Sequence, residues 1–282
     1  MSKHIITMIP SITESKFEKI TDADLSLKDY IEKHYLIAFF IVLLFIWALW
    51  MFITSVGPYV TLFVLILIPL LQYKYIKSRS EHAFLKNFAE KNGYTYNAQA
   101  VNLAETSTTY LKIGHGQFID KIILGTYGGF PLRIFTFHTT IGENKNAQLV
   151  KFTVFELEFV GSTLNILIDA GKHPFPKNVL QHQKLQLEGN FNDHFNLYIS
   201  KGYHLETLQV LTPDIMEILI DTSKHFSLEF IHNKLYIYAD TELTNSVDMV
   251  YMYEFSHSIL SKLAPVLARV KHSSISSPIL SR

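Results

Sequence analysis

The most apolar part of the chain is a stretch without any Asp, Glu, Lys, Arg or His at residues 36–72. Glycine and proline interrupt it at residues 55–58, where they favour a turn over a continuous helix. The remaining segments, 35–54 and 58–76, each have the roughly 20 residues with which a helix crosses the hydrocarbon core of a bilayer. The pattern predicts a two-helix transmembrane hairpin over residues 35–76. The alternative is a buried helical hairpin of a soluble protein, whose core rarely requires such runs of Ile, Leu, Phe and Val.

Positive charges lie on both outer sides of this hairpin and predict its orientation, because Lys and Arg concentrate in cytoplasmic loops. The turn between the two segments carries no charge. We therefore expect a multi-pass protein of the cell membrane with both termini in the cytoplasm and with the lipid bilayer as a partner. The flanking cations are Lys16, Lys19, Lys28 and Lys33 before the hairpin, and Lys74, Lys77, Arg79 and Lys86 after it.

The regions next to the hairpin differ in pattern. Residues 1–34 begin as a mixed polar sequence and predict a polar cytoplasmic leader. After the second segment, Phe84 and Phe88 recur at helical spacing until Gly93, a residue that favours the end of a helix. We expect a helical stalk over residues 77–93. The alternative for this basic stretch is an amphipathic helix lying on anionic lipid.

From Tyr94 onward the pattern changes to short apolar segments that predict strands. Two of them flank the glycine pair at residues 128–129, which is typical of a tight hairpin. In the following segment the apolar positions switch phase, from Phe152 and Val154 to Phe155 and its alternate neighbours. A one-residue phase switch in a long strand predicts a β-bulge or bend near Val154.

The second half of this region carries clear helix and hairpin signals. Residues 212–214 (Thr-Pro-Asp) predict a helix start in which Thr212 caps the first amides. A second hairpin is expected to turn at residues 232–233 (His-Asn). The last periodic segment, at about 247–270, predicts a helix that Pro265 should kink or end early.

These elements define the predicted fold class, which is α+β: a two-helix transmembrane hairpin followed by a cytoplasmic, mostly antiparallel β domain with packed helices. The domain is expected to span residues 94–270, either as one unit or as two lobes divided at the loop 171–176. Residues 271–282 are Ser-rich and predict a disordered tail.

The composition of the chain limits the kinds of functional site and partner that it can have. The 282-residue chain has no cysteine, which excludes disulfides and thiolate metal sites, and its formal net charge of zero gives no sign of a nucleic-acid partner. The hydrolase elbow GxSxG, the zinc motif HExxH and the phosphate-binding glycine loops are absent from the sequence. We therefore assign no catalytic, cofactor-binding or metal-ligating residue from the sequence.

Histidine is frequent, with 13 residues, yet its spacing does not predict a metal site. A metal ion needs three or four converging ligands, and no pair in the soluble part has the i, i+4 or knuckle spacing that would supply them. The alternative is an enzyme site assembled from dispersed Asp and His residues. Its candidates are His173, His182, His194, His204, His225 and His232, with Asp169, Asp193 and Asp221.

Three short motifs carry more specific information than residues that only fill an apolar core. They are LEGNF at residues 187–191, LTPDIM at 211–216 and LYIY at 235–238. With these motifs in this order, the chain resembles a family of uncharacterised bacterial membrane proteins, a domain of unknown function common in candidate-phylum bacteria; the resemblance covers roughly 94–240. It implies a membrane location and no particular activity. Read from the residues alone, the motifs predict a glycine turn, a capped helix and a hairpin strand.

The functional prediction follows from these observations. Transport and proton relay normally require ionisable groups within the membrane, and the predicted hairpin has none. We expect a membrane-anchored interaction or sensing module, neither an enzyme nor a transporter, that presents a surface to a cytoplasmic protein or peptide. The competing hypothesis is a membrane-associated enzyme, which a concave pocket with converging polar side chains would favour. The sequence leaves the oligomeric state open.

Overall fold

The structure, a computed structural model, describes residues 35–54, 58–103, 108–158, 164–171, 183–187, 189–200, 204–222 and 226–275. The predicted leader at 1–34, the turn at 55–57 and the last part of the predicted tail at 276–282 lie outside the described residues. Within the described part, a large antiparallel sheet and several helices form an α+β fold, which confirms that predicted class.

Two helices begin the described chain. Helix α1 spans Tyr35–Thr54 and helix α2 spans Pro58–Lys91, and the two contact each other. α2 continues without interruption through the predicted stalk, and Gly93 follows its end with a φ of +71°, a left-handed conformation that favours glycine. Among the described residues, no helix combines the length and the apolarity that a membrane crossing requires.

Ten described strands form one sheet in which paired strands run antiparallel. They are β1 Thr95–Asn97, β2 Val101–Asn102, β3 His115–Tyr127, β4 Phe130–Ile141, β5 Gln148–Glu158, β6 Leu164–Asp169, β7 Gln183–Leu185, β8 Asn196–Ile199, β9 Ser227–His232 and β10 Lys234–Tyr238. Their order across the sheet is β1-β3-β4-β5-β10-β9-β6-β8-β7, and β2 pairs with β3. Strands on both sides of residues 171–176 therefore belong to the same sheet.

The β3–β4 hairpin turns at the predicted glycine pair. Tyr127 pairs with Phe130, and the glycines at 128–129 have φ values of +60° and +85°, which glycine adopts without a steric cost. Gly125 has a different role, because a Cβ atom there would meet Cδ1 of Tyr94 at 2.1 Å. Glycine thus closes the hairpin and also lets an aromatic ring pack directly on β3.

The predicted bulge near Val154 is wrong. β5 pairs with β4 residue by residue along their shared length, without a register shift. The apolar phase switches because both faces of β5 are covered: Phe152 and Val154 belong to one buried cluster, and Phe155 belongs to the other. The β3–β4 pair does contain register shifts, one of them between Asp120 and Ile123 of β3.

Four helices of the described part complete the domain. They are α3 Phe191–His194, α4 His204–Val210, α5 Pro213–Thr222 and α6 Ser246–Ile275. α5 begins where the sequence predicts. The carbonyl of Thr212 accepts hydrogen bonds from the N–H groups of Ile215 and Met216, each at 3.0 Å. These are the first hydrogen bonds of that helix.

Helix α6 is longer than predicted. It passes Pro265 and reaches Ile275, so the early end predicted at the proline is wrong, and residues 271–275 of the predicted tail are helical. A proline removes one helical hydrogen bond, whereas tertiary packing supplies most of the stability of a helix. Phe255 and Ile259 provide such packing, because they are 1% and 0% exposed.

Each face of the sheet carries its own buried apolar cluster. Leu235 and Ile237 of β10 belong to the first cluster, and Tyr236 and Tyr238 belong to the second. Alternate side chains of a strand point to opposite faces, so the two clusters lie on opposite sides of the sheet. We call the first side the helical face, because it also buries residues of α2, α5 and α6, and the second side the loop face, because the segment 108–113 packs on it.

Candidate functional site

The C-terminal half of α2 is part of the helical face. Phe84 and Phe88 are 2% and 0% exposed. The ring centroid of Phe88 lies 5.7 Å from that of Tyr253 on α6 and 6.1 Å from that of Tyr94. Full burial of one phenylalanine contributes roughly 1.5–3 kcal/mol. The predicted stalk is therefore docked on the domain along its apolar side.

A buried ion network also joins α2 to the sheet. The ammonium group of Lys121 in β3 donates to Glu81 of α2 at 3.1 Å and to Glu242. Glu242 also accepts a hydrogen bond from Lys151 of β5. The side chains of Lys121 and Glu242 are only 9% and 7% exposed. The network thus connects α2, two strands and the loop before α6, with Lys121 and Glu242 largely removed from water and Lys151 51% exposed.

Burial and charge act in opposite directions on this network. Burial would raise the pKa of Glu242, but the hydrogen bonds and charges of Lys121 and Lys151 outweigh it and lower that pKa. Burial would lower the pKa of Lys121, and the carboxylates of Glu242 and Glu81 raise it instead. Both groups are therefore held in their charged forms at neutral pH.

Two histidines form hydrogen-bonded pairs beside this network. Nδ1 of His82 lies 2.6 Å from the hydroxyl of Tyr96, and Nε2 of His138 lies 2.9 Å from Oδ1 of Asp120. Burial and the charge of Lys121 lower the pKa of His82, which favours its neutral form. The sequence carries no signal for either pair, because only the docking of α2 and the β3–β4 register bring the partners together.

The loop face buries three carboxylates; Glu156 pairs with Arg133 and Lys234, whereas the other two are bound in a different way. Glu229 is 0% exposed and accepts hydrogen bonds from the Tyr238 hydroxyl and the Thr109 backbone N–H, both at 2.7 Å. Asp169 accepts the Tyr110 hydroxyl at 2.6 Å. No described cation forms an ion pair with either carboxylate. Burial raises the pKa of Glu229, and its hydrogen bonds offset that rise only in part.

A concave groove of about 280 Å³ lies between α5 and the turn that precedes α3. Two of the motifs singled out in the sequence contribute to its walls, one through Asn190 and Phe191 and the other through Pro213 and Met216. The tertiary structure therefore brings together motifs that are separated along the chain. The groove is lined by Asn190, Phe191, Pro213, Met216, Glu217, Ile220 and Asp221.

The Asp and His candidates of the enzyme hypothesis are dispersed. Asp169 belongs to the buried cluster of the loop face, Asp193 is exposed on α3, and Asp221 lines the groove. Among the described residues, no group of three or more His, Cys, Asp or Glu side chains is arranged to hold a metal ion. The candidate histidines are His194 at the end of α3, His204 at the start of α4 and His232 at the end of β9, whereas His173, His182 and His225 lie outside the described residues.

The described side chains of α1 form an exposed apolar surface. Ten large apolar residues between positions 39 and 50 are 43% to 62% exposed, whereas Ile41 is half-buried and Ala48 is buried. Exposed apolar residues continue on α2 as far as residue 71. Soluble monomers rarely expose contiguous apolar patches larger than a few hundred Å². The residues concerned are Phe39, Phe40, Val42, Leu43, Leu44, Phe45, Ile46, Trp47, Leu49 and Trp50 of α1, with Phe63, Ile66, Leu67, Leu70 and Leu71 of α2.

No protein-family model matches the chain, and no curated protein matches it. It is similar to a solved structure described as the crystal structure of the mycobacterial trehalose monomycolate transport factor A, TtfA, with 13% identity and a TM-score of 0.48 over 67% of this chain and 97% of that chain. The resemblance to a family of bacterial membrane proteins, based on the three motifs, stays a prediction.

Proposed function

We propose that the protein is a membrane-anchored interaction or sensing module on the cytoplasmic side of the cell membrane. The observation that carries this proposal is the exposed apolar surface formed by ten residues between Phe39 and Trp50 of α1 and by Phe63, Ile66, Leu67, Leu70 and Leu71 of α2. A bilayer is a suitable cover for it, because hydrocarbon accepts apolar side chains and helices satisfy their backbone hydrogen bonds internally. The absence of ionisable residues from 36 to 72 supports an anchor over a transport pathway.

The continuity of α2 supports a rigid connection between this anchor and the domain. α2 has 34 residues, which correspond to about 50 Å at roughly 1.5 Å per residue. Its first half carries exposed apolar residues, and its second half is held by the Phe88 contacts and by the Glu81–Lys121 ion pair. The domain would thus keep one orientation at the membrane surface and present a constant face to a cytoplasmic protein or peptide.

The described polar clusters favour binding over catalysis. The carboxylates Glu229 and Asp169 of the loop face are hydrogen-bonded to neighbouring side chains and backbone. The charges that join α2 to the sheet, on Glu81, Lys121 and Glu242, pair with each other. The groove joins an apolar floor to Asn190, Glu217 and Asp221, and its lining contains no histidine among the described residues. A recognition surface needs this combination of apolar contact area and a polar rim.

Substitution of an apolar anchor residue tests the proposal. Leu43→Arg should impair membrane insertion, at a cost of about 2.5–3.5 kcal/mol for a cation near a helix centre. Leu149→Arg is the matched control, because Leu149 is 63% exposed on the sheet, whereas Leu43 is 44% exposed on α1. Carbonate-resistant membrane association should decrease for the first variant only. Equal retention of both variants in the membrane fraction would contradict the anchor.

Reporter fusions test the orientation independently. A cytosol-dependent reporter should be active when it is fused before Met1 or after Arg282, and an export-dependent reporter should be active when it is inserted at Val56. Export activity of the fusion after Arg282 would overturn the proposed cytoplasmic position of the domain.

A further inference from the structure

We infer that the groove between α5 and the α3 turn binds a cytoplasmic peptide segment in which one large apolar side chain is flanked by Lys or Arg. This inference rests on the proposed interaction module and adds the location and the chemistry of its partner.

The groove has the shape of a site for one side chain. Its volume of about 280 Å³ is slightly below the range of roughly 300–1,000 Å³ that is typical of small-molecule pockets. Met216 and Ile220 lie four residues apart on the same side of α5 and are partly buried, and the buried Phe191 also lines the groove. These apolar walls suit a leucine, phenylalanine or tryptophan side chain of the partner.

The rim of the groove is acidic. Glu217 and Asp221 also lie four residues apart on α5, and both are exposed. Neither forms an ion pair with any described residue. Like charges at this spacing repel each other and destabilise the helix. A partner that places Lys or Arg beside its apolar residue would relieve this repulsion, so charge complementarity selects a basic segment over an acidic one.

A nearby pair shows that α5 does accept cations. Asp214, in the first turn of the helix, lies 3.6 Å from the ammonium group of Lys262 on α6. This pair lies outside the lining of the groove. The domain therefore neutralises an acidic residue of α5 away from the groove, whereas the two rim carboxylates remain directed to solvent within the described part of the chain.

Peptide binding to the full-length protein in lipid nanodiscs tests the inference. The probe is a fluorescent synthetic peptide with a Leu-Trp pair between two Lys-Lys pairs. One comparison peptide replaces Leu-Trp with Ser-Ser and keeps the charge, and the other replaces every Lys with Glu. We expect the probe to bind at least about tenfold more tightly than either comparison peptide, a difference of about 1.4 kcal/mol.

Charge reversal distinguishes the groove from the rest of the surface. The double variant Glu217→Lys, Asp221→Lys should lose about tenfold in affinity for the basic probe and should gain affinity for the Glu peptide. The matched control is Glu143→Lys, Asp240→Lys, which makes the same change at exposed positions outside the groove and should bind as the native protein does. Equal binding of the Ser-Ser peptide, or equal loss in the control, would overturn the inference.

Crosslinking in membranes separates this inference from the proposed module. A photo-crosslinking amino acid at position 216 should capture the synthetic probe, and the same amino acid at position 149 should not. Capture at position 149 alone would refute the groove and leave an interaction module standing. Loss of membrane association would refute the anchor whatever the groove binds. A crosslinked product with twice the mass of the chain would show that the occupant is a second copy, which also contradicts a separate basic peptide.

Discussion

The buried carboxylate beneath α2 and the one beneath the segment 108–113 are satisfied by opposite means. On the helical face, Glu242 lies between the ammonium groups of Lys121 and Lys151. On the loop face, Glu229 is held by the neutral Tyr238 hydroxyl and the Thr109 backbone N–H. Charge pairing links separate elements, including α2, whereas neutral donors attach one short segment to the sheet. The helical face is therefore the joint between the proposed anchor and the domain.

This difference gives the two carboxylates opposite contributions to stability as the pH changes. The pKa of Glu242 is lowered on folding, so its stabilisation is complete above the unfolded value near 4.5 and is lost as pH falls through the folded pKa. The pKa of Glu229 is raised, so its stabilisation is complete below 4.5 and is lost as pH rises through the folded pKa. The Glu242 network is therefore most stabilising near neutral pH, and the Glu229 cluster is most stabilising in mild acid.

The largest effect is expected for an aromatic truncation on either face. Phe88→Ala and Phe137→Ala should each lower the free energy of unfolding by about 3–5 kcal/mol, because both side chains are 0% exposed and leave cavities. Only Phe88→Ala should also release α2 from the domain. Urea unfolding measures the first effect, and proteolysis between α2 and β1 measures the second. Equal protease sensitivity of the two variants would show that the aromatic contacts do not form the joint.

A smaller effect is expected when the ion network loses its central cation. Lys121→Met should lower the free energy of unfolding by roughly 3 kcal/mol. This is the low end of the usual cost of breaking a buried ion pair, because Glu242 retains its ion pair with Lys151. Lys86→Met is the control: its pair with Glu90 is surface-exposed and should contribute about 0–1 kcal/mol. Chemical denaturation at pH 7 provides both values. Similar losses in the two variants would mean that burial does not strengthen the network.

The Glu229 cluster should lose stability as pH rises above 4.5, which the Glu242 network should not. In the native protein, the contribution of Glu229 to the free energy of unfolding declines above pH 4.5. Glu229→Gln should remove this contribution, which is about 1.4 kcal/mol for each pKa unit by which the folded value exceeds the unfolded value. Denaturant titrations between pH 4 and 8 measure this slope. Glu143→Gln, at an exposed position, should keep the slope of the native protein. A slope that is identical in all three proteins would rule out Glu229 as the titrating group.

The smallest effect concerns the start of α5, where the helical face borders the groove. Thr212→Ala should lower the free energy of unfolding by about 1 kcal/mol through loss of a cap, and Thr212→Ser should largely restore it because the hydroxyl remains. Thermal unfolding in nanodiscs measures both variants. If Thr212→Ala left stability unchanged but weakened binding of the basic probe, the LTPDIM motif would act in recognition and not chiefly as a helix start.

Local chemistry made several elements predictable. The glycine pair at 128–129 and the helix start at Thr212 act through backbone conformation and hydrogen bonds within a few residues, so a short sequence contains the signal. The phase switch after Val154 was ambiguous for a physical reason: periodicity reports which positions are buried, and it cannot distinguish a bulge from a strand covered on both faces. The extension of α6 beyond Pro265 depends on tertiary packing, which intrinsic helix propensity does not take into account.

The sequence by itself determined the elements that local patterns encode: an α+β class, two tight hairpins and two apolar segments without charge. Only the tertiary structure decided that Lys121 meets Glu81 and Glu242, which lie 40 and 121 residues away from it along the chain. It also decided that Asn190 and Phe191 of one motif line the same groove as Pro213 and Met216 of another. Such contacts depend on strand order and on the docking of α2, and these arise from the packing of both faces together, which no short stretch of sequence specifies.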